Sequence, residues 1–325
     1  MEKKREDRDL KHTDDAFAAM LLTLPLTPGA ETGEKPLSPV EFRQILGRLD
    51  MDAARHPGLL MGKDLTEIMR LMRIDEHLAY RLCILLDRDI LLYRLLDECM
   101  DTETEIVTCF DLSFPQRLAL RQELPVCLFA RGELSLCEGE YVGVAGIPGV
   151  KTPADVEKGL IALADGAAMN GLGILTGGEA GAGRIVRERM LENEGRLLCA
   201  LTGGMNDFCT DAACAEALKN GNLCVLSACH PDSPADIKEI PARNRILFAL
   251  SCACVVAAAD AKRSEAEAAR MDLCTFRYAL KHPELGQNEG LFERGFEPVR
   301  DLNGWITPER AGEWTGSRAE QIRLF

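Results

Sequence analysis

Three glycine-rich segments of the chain contain residue types that bind phosphate groups. The first holds Gly146 and is followed by Lys151, the second is Thr176-Gly177-Gly178, and the third holds Gly203. Glycine lets the backbone turn tightly and approach a ligand, and a helix that follows offers free N–H groups and a partial positive charge. These segments predict phosphate contacts, with simple tight turns as the alternative.

A pair of arginines flanks an amide at the start of a very apolar segment, in Arg243-Asn244-Arg245. An apolar helix that begins with two guanidinium groups indicates either a bound anion or internal ion pairs, here with Asp236 or Glu239. Lys262 and Arg263 follow the next predicted strand. All of these cations are therefore expected at one rim of the fold.

Residues for catalysis or metal binding are poorly represented. The five histidines have no partner cluster, and the thirteen cysteines lack the paired C-x-x-C spacing of zinc sites. Most cysteines stand in apolar strings, which predicts buried, reduced thiols. Glu179 stands in a glycine loop without a second positioned group. We therefore predict no enzyme activity, no metal and no cofactor, since neither a dinucleotide fingerprint nor a P-loop is present.

The elements that must position these residues alternate between short apolar strands and helices. The predicted strands are Tyr141–Ala145, Gly173–Leu175, Arg196–Leu201, Leu223–Ser227 and Cys252–Ala258, with a further short strand at Ile106–Phe110. The predicted helices are Pro153–Met169, Gly183–Asn193, Asp211–Lys219 and Pro241–Ala249. Such alternation predicts an α/β, Rossmann-like, doubly wound and mostly parallel sheet, which binds ligands beyond the carboxyl ends of its strands.

The chain divides by pattern into four parts. Residues 1–37 are expected to be a charged, solvated leader and a turn-rich linker, and residues 38–105 a helical domain that begins with a capping box at Ser38 and Glu41. Residues 106–300 are expected to form the Rossmann-like domain, and 301–325 a tail. There is no secretory signal, and the apolar run Ile246–Ala259 is too short for a bilayer. The sequence predicts a cytoplasmic protein without a membrane segment.

The formal net charge of −14 argues against general binding to nucleic acid, because affinity for phosphates grows with clustered lysine and arginine. A nucleic-acid site on this chain is therefore expected to be small and confined.

In order along the chain, several motifs resemble the DNA-processing protein A (DprA/Smf) family between about Asp111 and Val299. They are Phe114-Pro115, Leu124 to Gly132, Thr176-Gly177-Gly178, Gly195 to Gly204, Leu226 to Pro231, Pro241 to Ile246 with Leu250-Ser251, and Gly286 to Leu291. The segment around Arg243-Asn244-Arg245 matches the family nearly residue for residue and is the most specific of them.

The resemblance implies a homodimer that binds single-stranded DNA in the Rossmann-like pocket and hands it to the RecA recombinase in natural transformation. Three positions depart from the family: Pro148 replaces an arginine, Gly183 an aspartate, and Glu265 stands in a late glycine loop. A carboxylate near a phosphate site is unfavourable by Coulomb repulsion, so a weakened or altered DNA affinity is expected.

Two other functions stay open on the sequence alone. The same fold is compatible with a sensor or hydrolase for a small nucleotide-like ligand, although its Pro-Gly-Gly-x-Gly-Thr loop is absent. The second alternative is a degenerate member of the family that acts only through protein contacts. The negative net charge favours it.

Overall fold

The computed structural model describes residues 12–29, 33–49, 56–147, 151–178, 180–259, 265 and 271–323. The chain separates into two compact units, the first made of residues 1–130 and 228–234 and the second of residues 131–227 and 235–325. No helix within the described ranges has the length and apolar character needed to cross a bilayer.

The first unit is mainly helical. Its helices are α1 (Asp14–Thr23), α2 (Pro39–Arg48), α3 (Leu65–Met72), α4 (Glu76–Leu86), α5 (Asp89–Asp101) and α6 (Gln116–Ala119). The predicted capping box is confirmed, because the Ser38 side chain accepts from the Glu41 backbone and the Glu41 carboxylate accepts from the Ser38 backbone. Strand β1 (Glu105–Thr108) pairs antiparallel with β2 (Cys127–Gly132).

Helix α1 corrects the expectation of a solvated leader for residues 14–23. Seven consecutive residues, 16–22, are buried within this helix. Thr13 caps the helix by accepting from the Ala16 backbone, and Asp14 and Asp15 favour its first turn through the helix dipole. The sequence pattern did not predict this helix, because charged residues precede it and a helix that is apolar on every side has no hydrophobic periodicity.

The second unit is the strand–helix region. Its strands are β3 (Tyr141–Gly146), β4 (Gly173–Thr176), β5 (Leu197–Ala200), β6 (Leu223–Ser227), β7 (Ala253–Ala258), β8 (Phe276–Leu280) and β9 (Glu297–Val299). Its helices are α7 (Ala154–Met169), α8 (Ala182–Glu192), α9 (Asn206–Cys209), α10 (Ala212–Lys219), α11 (Ile240–Leu250), α12 (Glu289–Phe292) and α13 (Pro308–Arg323). The five strands and four helices predicted here are confirmed to within one residue at each end. Strands β8 and β9 were not predicted.

Strands β3 to β9 form one parallel sheet in the order β6-β5-β4-β3-β7-β8-β9. Every residue of β4, β5, β6 and β7 is buried. Continuous burial along parallel strands is what helices on both faces produce. The predicted Rossmann-like α/β fold is confirmed.

Most of the cysteines lie in the apolar interiors of the two units, as predicted. Ten of the thirteen are buried, and burial is the main cause that raises the pKa of Cys109 to about 11 and that of Cys214 to about 12. Such thiols stay protonated near neutral pH and pack as small apolar groups.

Candidate nucleic-acid interface

The strand order reverses direction at β3, whose neighbours are β4 on one side and β7 on the other. In open parallel sheets a ligand crevice forms beyond the carboxyl ends of the strands at such a switch point. A bulge at Ala145/Gly146 places Gly146 opposite Ala258. The end of β3 therefore diverges locally from its ladder at the place where the crevice is expected.

One small cleft, here called the glycine cleft, lies beside the end of β4. It has a volume of about 210 Å³ and is lined by Val144, Gly146, Thr176, Gly177, Gly178, Ala180, Gly183 and Arg243. Thr176 shapes its floor, because its Oγ1 donates to the Val144 carbonyl (3.2 Å) and accepts from the Gly178 N–H (3.4 Å). Four predicted site residues and Arg243 thus meet in one depression.

Gly177 lies against the end of the Arg243 side chain. A Cβ atom built on Gly177 would lie 1.6 Å from Nη1 of Arg243, so an alanine here would force that guanidinium to shift. Gly178 has a φ of +71°, which favours glycine. At Gly183 a Cβ would stand 2.8 Å from Thr176 Oγ1 and 3.0 Å from the Gly178 backbone nitrogen, so a side chain there would press on the loop after β4.

A second depression, the switch cleft, adjoins the first through Gly146. Its volume is about 250 Å³, and its lining includes Lys151, Val156, Ala182 and Ala258. Lys151 is exposed. Two helices begin here: α7 after Pro153 and α8 after Gly181, neither with a side-chain cap. Uncapped first-turn N–H groups and the positive ends of the two helix dipoles favour an anion at this place.

The two arginines of the predicted site differ in position. Arg243 is only 3% exposed and reaches the glycine cleft, whereas Arg245 is half-buried and does not line either cleft. Glu239, one of the carboxylates considered as an ion-pair partner, has a raised pKa because of burial and then the Asp236 carboxylate. A guanidinium paired with Glu239 would instead lower that pKa, so the structure does not favour this pairing.

Asn244 and Glu265 form a buried contact away from the clefts. Asn244 is fully buried and donates from Nδ2 to Oε1 of Glu265 (3.2 Å), and Glu265 is 1% exposed. Neither residue lines the glycine cleft or the switch cleft. The structure therefore gives Glu265 a buried amide partner and places it outside the described cleft linings.

Gly203 lies apart from the other predicted site residues. It follows β5, and its carbonyl accepts a hydrogen bond from Ser227 Oγ (2.6 Å) at the end of β6. This contact ties two strand ends together and is a structural role. Lys262 and Arg263, together with Pro148 and Glu179, lie outside the described residues.

Asn288 is a positioning residue that the sequence analysis did not single out. Its Oδ1 accepts from the Ala259 N–H (2.7 Å), and its Nδ2 donates to the carbonyls of Ala257 (3.1 Å) and Leu280 (2.8 Å). The side chain thus holds the ends of β7 and β8 beside the switch cleft. A buried asparagine in a short turn between β8 and β9 is a weak signal, because its partners at the end of β7 are distant in sequence.

The described lining of the two clefts offers two cations and backbone groups. Among their described lining residues there are two cations and no carboxylate, imidazole or thiol. The described part of the chain contains no group of three or more side chains able to hold a metal ion. General acid–base catalysis needs a titratable group within hydrogen-bond reach, and the described lining does not supply one.

Comparisons with known proteins agree with this architecture. A sequence model of the family described as DNA recombination-mediator protein A matches residues 105–282. The crystal structure of DNA processing protein A from Streptococcus pneumoniae is similar, with a TM-score of 0.64 and 18% identity over 90% of this chain and 96% of that one. DNA processing protein A from Helicobacter pylori, which binds single-stranded DNA, aligns with a TM-score of 0.49 and 22% identity over 62% of this chain and 94% of its own. No curated protein sequence matches the chain.

Proposed function

The chain belongs to the DNA recombination-mediator protein A family, and from this premise we propose that it is a DNA-processing protein that binds single-stranded DNA at the glycine and switch clefts. The observation that carries the proposal is the approach of the Arg243 guanidinium to Gly177 at the switch point of the sheet. A fork of N–H donors beside a glycine loop matches the geometry of a phosphate.

The size of the clefts favours phosphate groups over whole nucleotides as the bound parts. Both clefts are shallow and open to solvent: only about 10 Å³ in each admits a water-sized molecule, against the ~300–1,000 Å³ of sites that enclose a small organic ligand. A strand held by its backbone leaves its bases outside, which supports sequence-tolerant binding. The same comparison disfavours a sensor or hydrolase that encloses a nucleotide.

The finer parts of the proposal rest on the family resemblance. We propose that the protein acts in the cytoplasm as a homodimer, without catalysis of its own, and passes single-stranded DNA to RecA during recombination or natural transformation. The test is capture of purified RecA by the protein with and without oligonucleotide. If RecA is not captured in either condition, the proposed transfer of DNA to RecA is contradicted, whereas the proposed DNA binding is not.

DNA binding itself is tested with oligothymidylate titrations across a salt series. For single strands the logarithm of the affinity falls with a slope of about −0.7 per phosphate engaged. The variant Arg243→Ala/Arg245→Ala is expected to lose about a hundredfold in affinity, because a bidentate contact from Arg243 contributes two charge-assisted hydrogen bonds of about 1.5–3 kcal/mol each, and Arg245, outside the cleft lining, contributes only its charge. Wild-type affinity in this variant would contradict the site.

Two controls make that experiment specific. Arg243 is buried, so a conservative replacement is needed to keep the fold. Arg243→Lys keeps a cation of similar length and is expected to retain the fold while losing about tenfold in affinity for oligothymidylate. Lys63→Ala/Lys219→Ala removes the same charge from exposed positions that do not line the clefts and is expected to bind like wild type. Thermal unfolding of each variant separates a loss of binding from a loss of structure.

A further inference from the structure

Asn288 holds the backbone on both sides of one residue in the wall of the switch cleft. Its side chain is 1% exposed, and two of its hydrogen bonds go to Ala257 and Ala259, the residues that flank Ala258. The Asn288 N–H also donates to the Leu285 carbonyl (3.0 Å). Ala257, Ala258 and Leu285 all line the switch cleft. Asn288 therefore fixes the backbone of this wall from outside the cleft lining.

Ala258 connects this wall to the end of β3. Its carbonyl accepts from the Ile147 N–H (3.1 Å), and it pairs with Gly146 at the bulge that ends β3. Gly146 and Ile147 also line the switch cleft. Because the ladder between β3 and β7 ends here, the separation of the two strand ends depends on where the Ala258 backbone is held. The hydrogen bonds of Asn288 hold that backbone through both neighbours of Ala258.

The geometry of the cleft matters for an anion, because hydrogen bonds are short and directional. Bonds to phosphate oxygens need donor–acceptor distances of about 2.7–3.2 Å, and binding groups must be held to within about 0.5 Å of the productive position. The donors available at the switch cleft are Lys151 and the first N–H groups of α7, which begins after Pro153. These donors line the same cleft as the backbone that Asn288 holds.

We propose that Asn288 is a positioning residue for phosphate binding, which sets the opening of the switch cleft through its hydrogen bonds to the end of β7. This inference rests on the proposed DNA binding. The alternative is a purely structural residue, whose loss lowers the stability of the protein without changing the DNA affinity of the molecules that stay folded. The two roles differ in whether Asn288 and Lys151 act through the same cleft.

A double-mutant cycle on the full chain separates these roles. Asn288→Ala and Lys151→Ala are each expected to lower the affinity for oligothymidylate about tenfold. If both residues act through the switch cleft, the double variant is expected to lose about tenfold to twentyfold, well short of the roughly hundredfold loss that two independent effects would give. All titrations are made well below the melting temperature of the least stable variant, so that each protein is folded.

Two further variants serve as controls. Leu95→Ala opens a cavity at a buried position of α5 in the first unit, and it is expected to lower the melting temperature while keeping the DNA affinity of wild type. Asn288→Ser is a milder replacement, because its hydroxyl can keep one of the three hydrogen bonds, and it is expected to lose less affinity than Asn288→Ala. Asn288→Ser takes the place of the alanine variant in the cycle if that variant does not fold.

The outcomes separate the inference from the function on which it rests. Wild-type affinity in a folded Asn288 variant, unchanged affinity in Lys151→Ala, or independent effects of the two residues overturns the positioning role and leaves DNA binding in place. An equal loss of affinity in Leu95→Ala would show that stability alone explains the effect, and it overturns the positioning role as well. A wild-type protein that does not bind oligothymidylate overturns the proposed function itself.

Discussion

A groove at the amino ends of β5 and β6 is acidic, whereas the smaller clefts at the carboxyl ends have two cations and no carboxylate among their described lining residues. This acidic groove has a volume of about 930 Å³ and a lining that contains Arg187, Glu188, Glu192, Glu194, Asp211 and Glu216. It also includes Gly195 and Asn222, which precede β5 and β6, so it lies at the amino ends of those strands. The larger of these depressions is therefore not the one whose charge favours an anion.

One helix takes part in both regions. The first residues of α8, Ala182 and Gly183, line the switch and glycine clefts, and its last turns from Arg187 to Glu192 line the acidic groove. The helix dipole places partial positive charge at the first end and partial negative charge at the second. The backbone dipole of this one helix therefore presents opposite signs to the two regions.

The largest expected effect is on stability and comes from Asn288, which connects the ends of β7 and β8. Asn288→Ala removes three buried hydrogen bonds from the ends of β7 and β8 and is expected to lower the free energy of unfolding by about 3 kcal/mol. Thermal and urea unfolding measure this loss. A variant as stable as wild type would show that the rim does not depend on this side chain.

The glycine cleft itself is tested with Gly177→Ala. The new methyl group overlaps Arg243 Nη1, so the buried guanidinium is displaced and the affinity for oligothymidylate is expected to fall about tenfold, or 1.4 kcal/mol. Gly47→Ala in α2, where a Cβ atom would contact nothing within 4 Å, is the matched control. If Gly177→Ala bound oligothymidylate as wild type does, binding could no longer be assigned to the glycine cleft at the carboxyl ends of the strands.

A stability reference away from both regions is Asp111 in the first unit. Burial tends to raise the pKa of its carboxyl, but the nearby His12 imidazole (Nδ1–Oδ1 3.8 Å) and hydrogen bonds from the Thr108 N–H and hydroxyl outweigh burial and lower that pKa below 3.8. A lowered folded-state pKa stabilises the protein above pH 3.8, and this contribution is lost as the pH falls below that value. Asp111→Asn is expected to cost about 1 kcal/mol at pH 7 and progressively less in acid.

Unfolding of this variant at pH 7 and near pH 3 provides the measurement. The DNA affinity of this variant at pH 7 is expected to equal that of wild type. The variant therefore shows that a loss of stability alone does not abolish DNA binding. A destabilisation that grows in acid would contradict the assigned hydrogen bonds.

The smallest effect is expected in the acidic groove. Glu194→Gln/Glu216→Gln removes two carboxylates that line it and is expected to change DNA affinity by less than about twofold, because salt screens exposed charges beyond about 10 Å. Titrations at two salt concentrations measure the change. A tenfold gain in DNA affinity would mean that the acidic groove controls binding at the glycine and switch clefts.

Much of the second unit followed from its sequence. Short apolar strands such as Leu223–Ser227 and capped or alanine-rich helices such as Asp211–Lys219 are local patterns, and local hydrogen bonding with burial determines them. The glycines after β3 and β4 were predicted correctly as loops at strand ends. Helix α1 was missed because a segment that is apolar on every side has no periodic pattern, and β8 was missed because its residues alternate weakly.

What the sequence by itself determined is the set of strands and helices, the Rossmann-like class and the residue types available to bind phosphate. Only the tertiary structure decided which of them meet. Successive helical residues differ by about 100° in direction, so Arg243 enters the glycine cleft, Asn244 turns to Glu265, and Arg245 remains outside the cleft lining. The pairing of β3 with both β4 and β7 is non-local, and that pairing places Gly146 and Gly177 together while leaving Gly203 at another strand end.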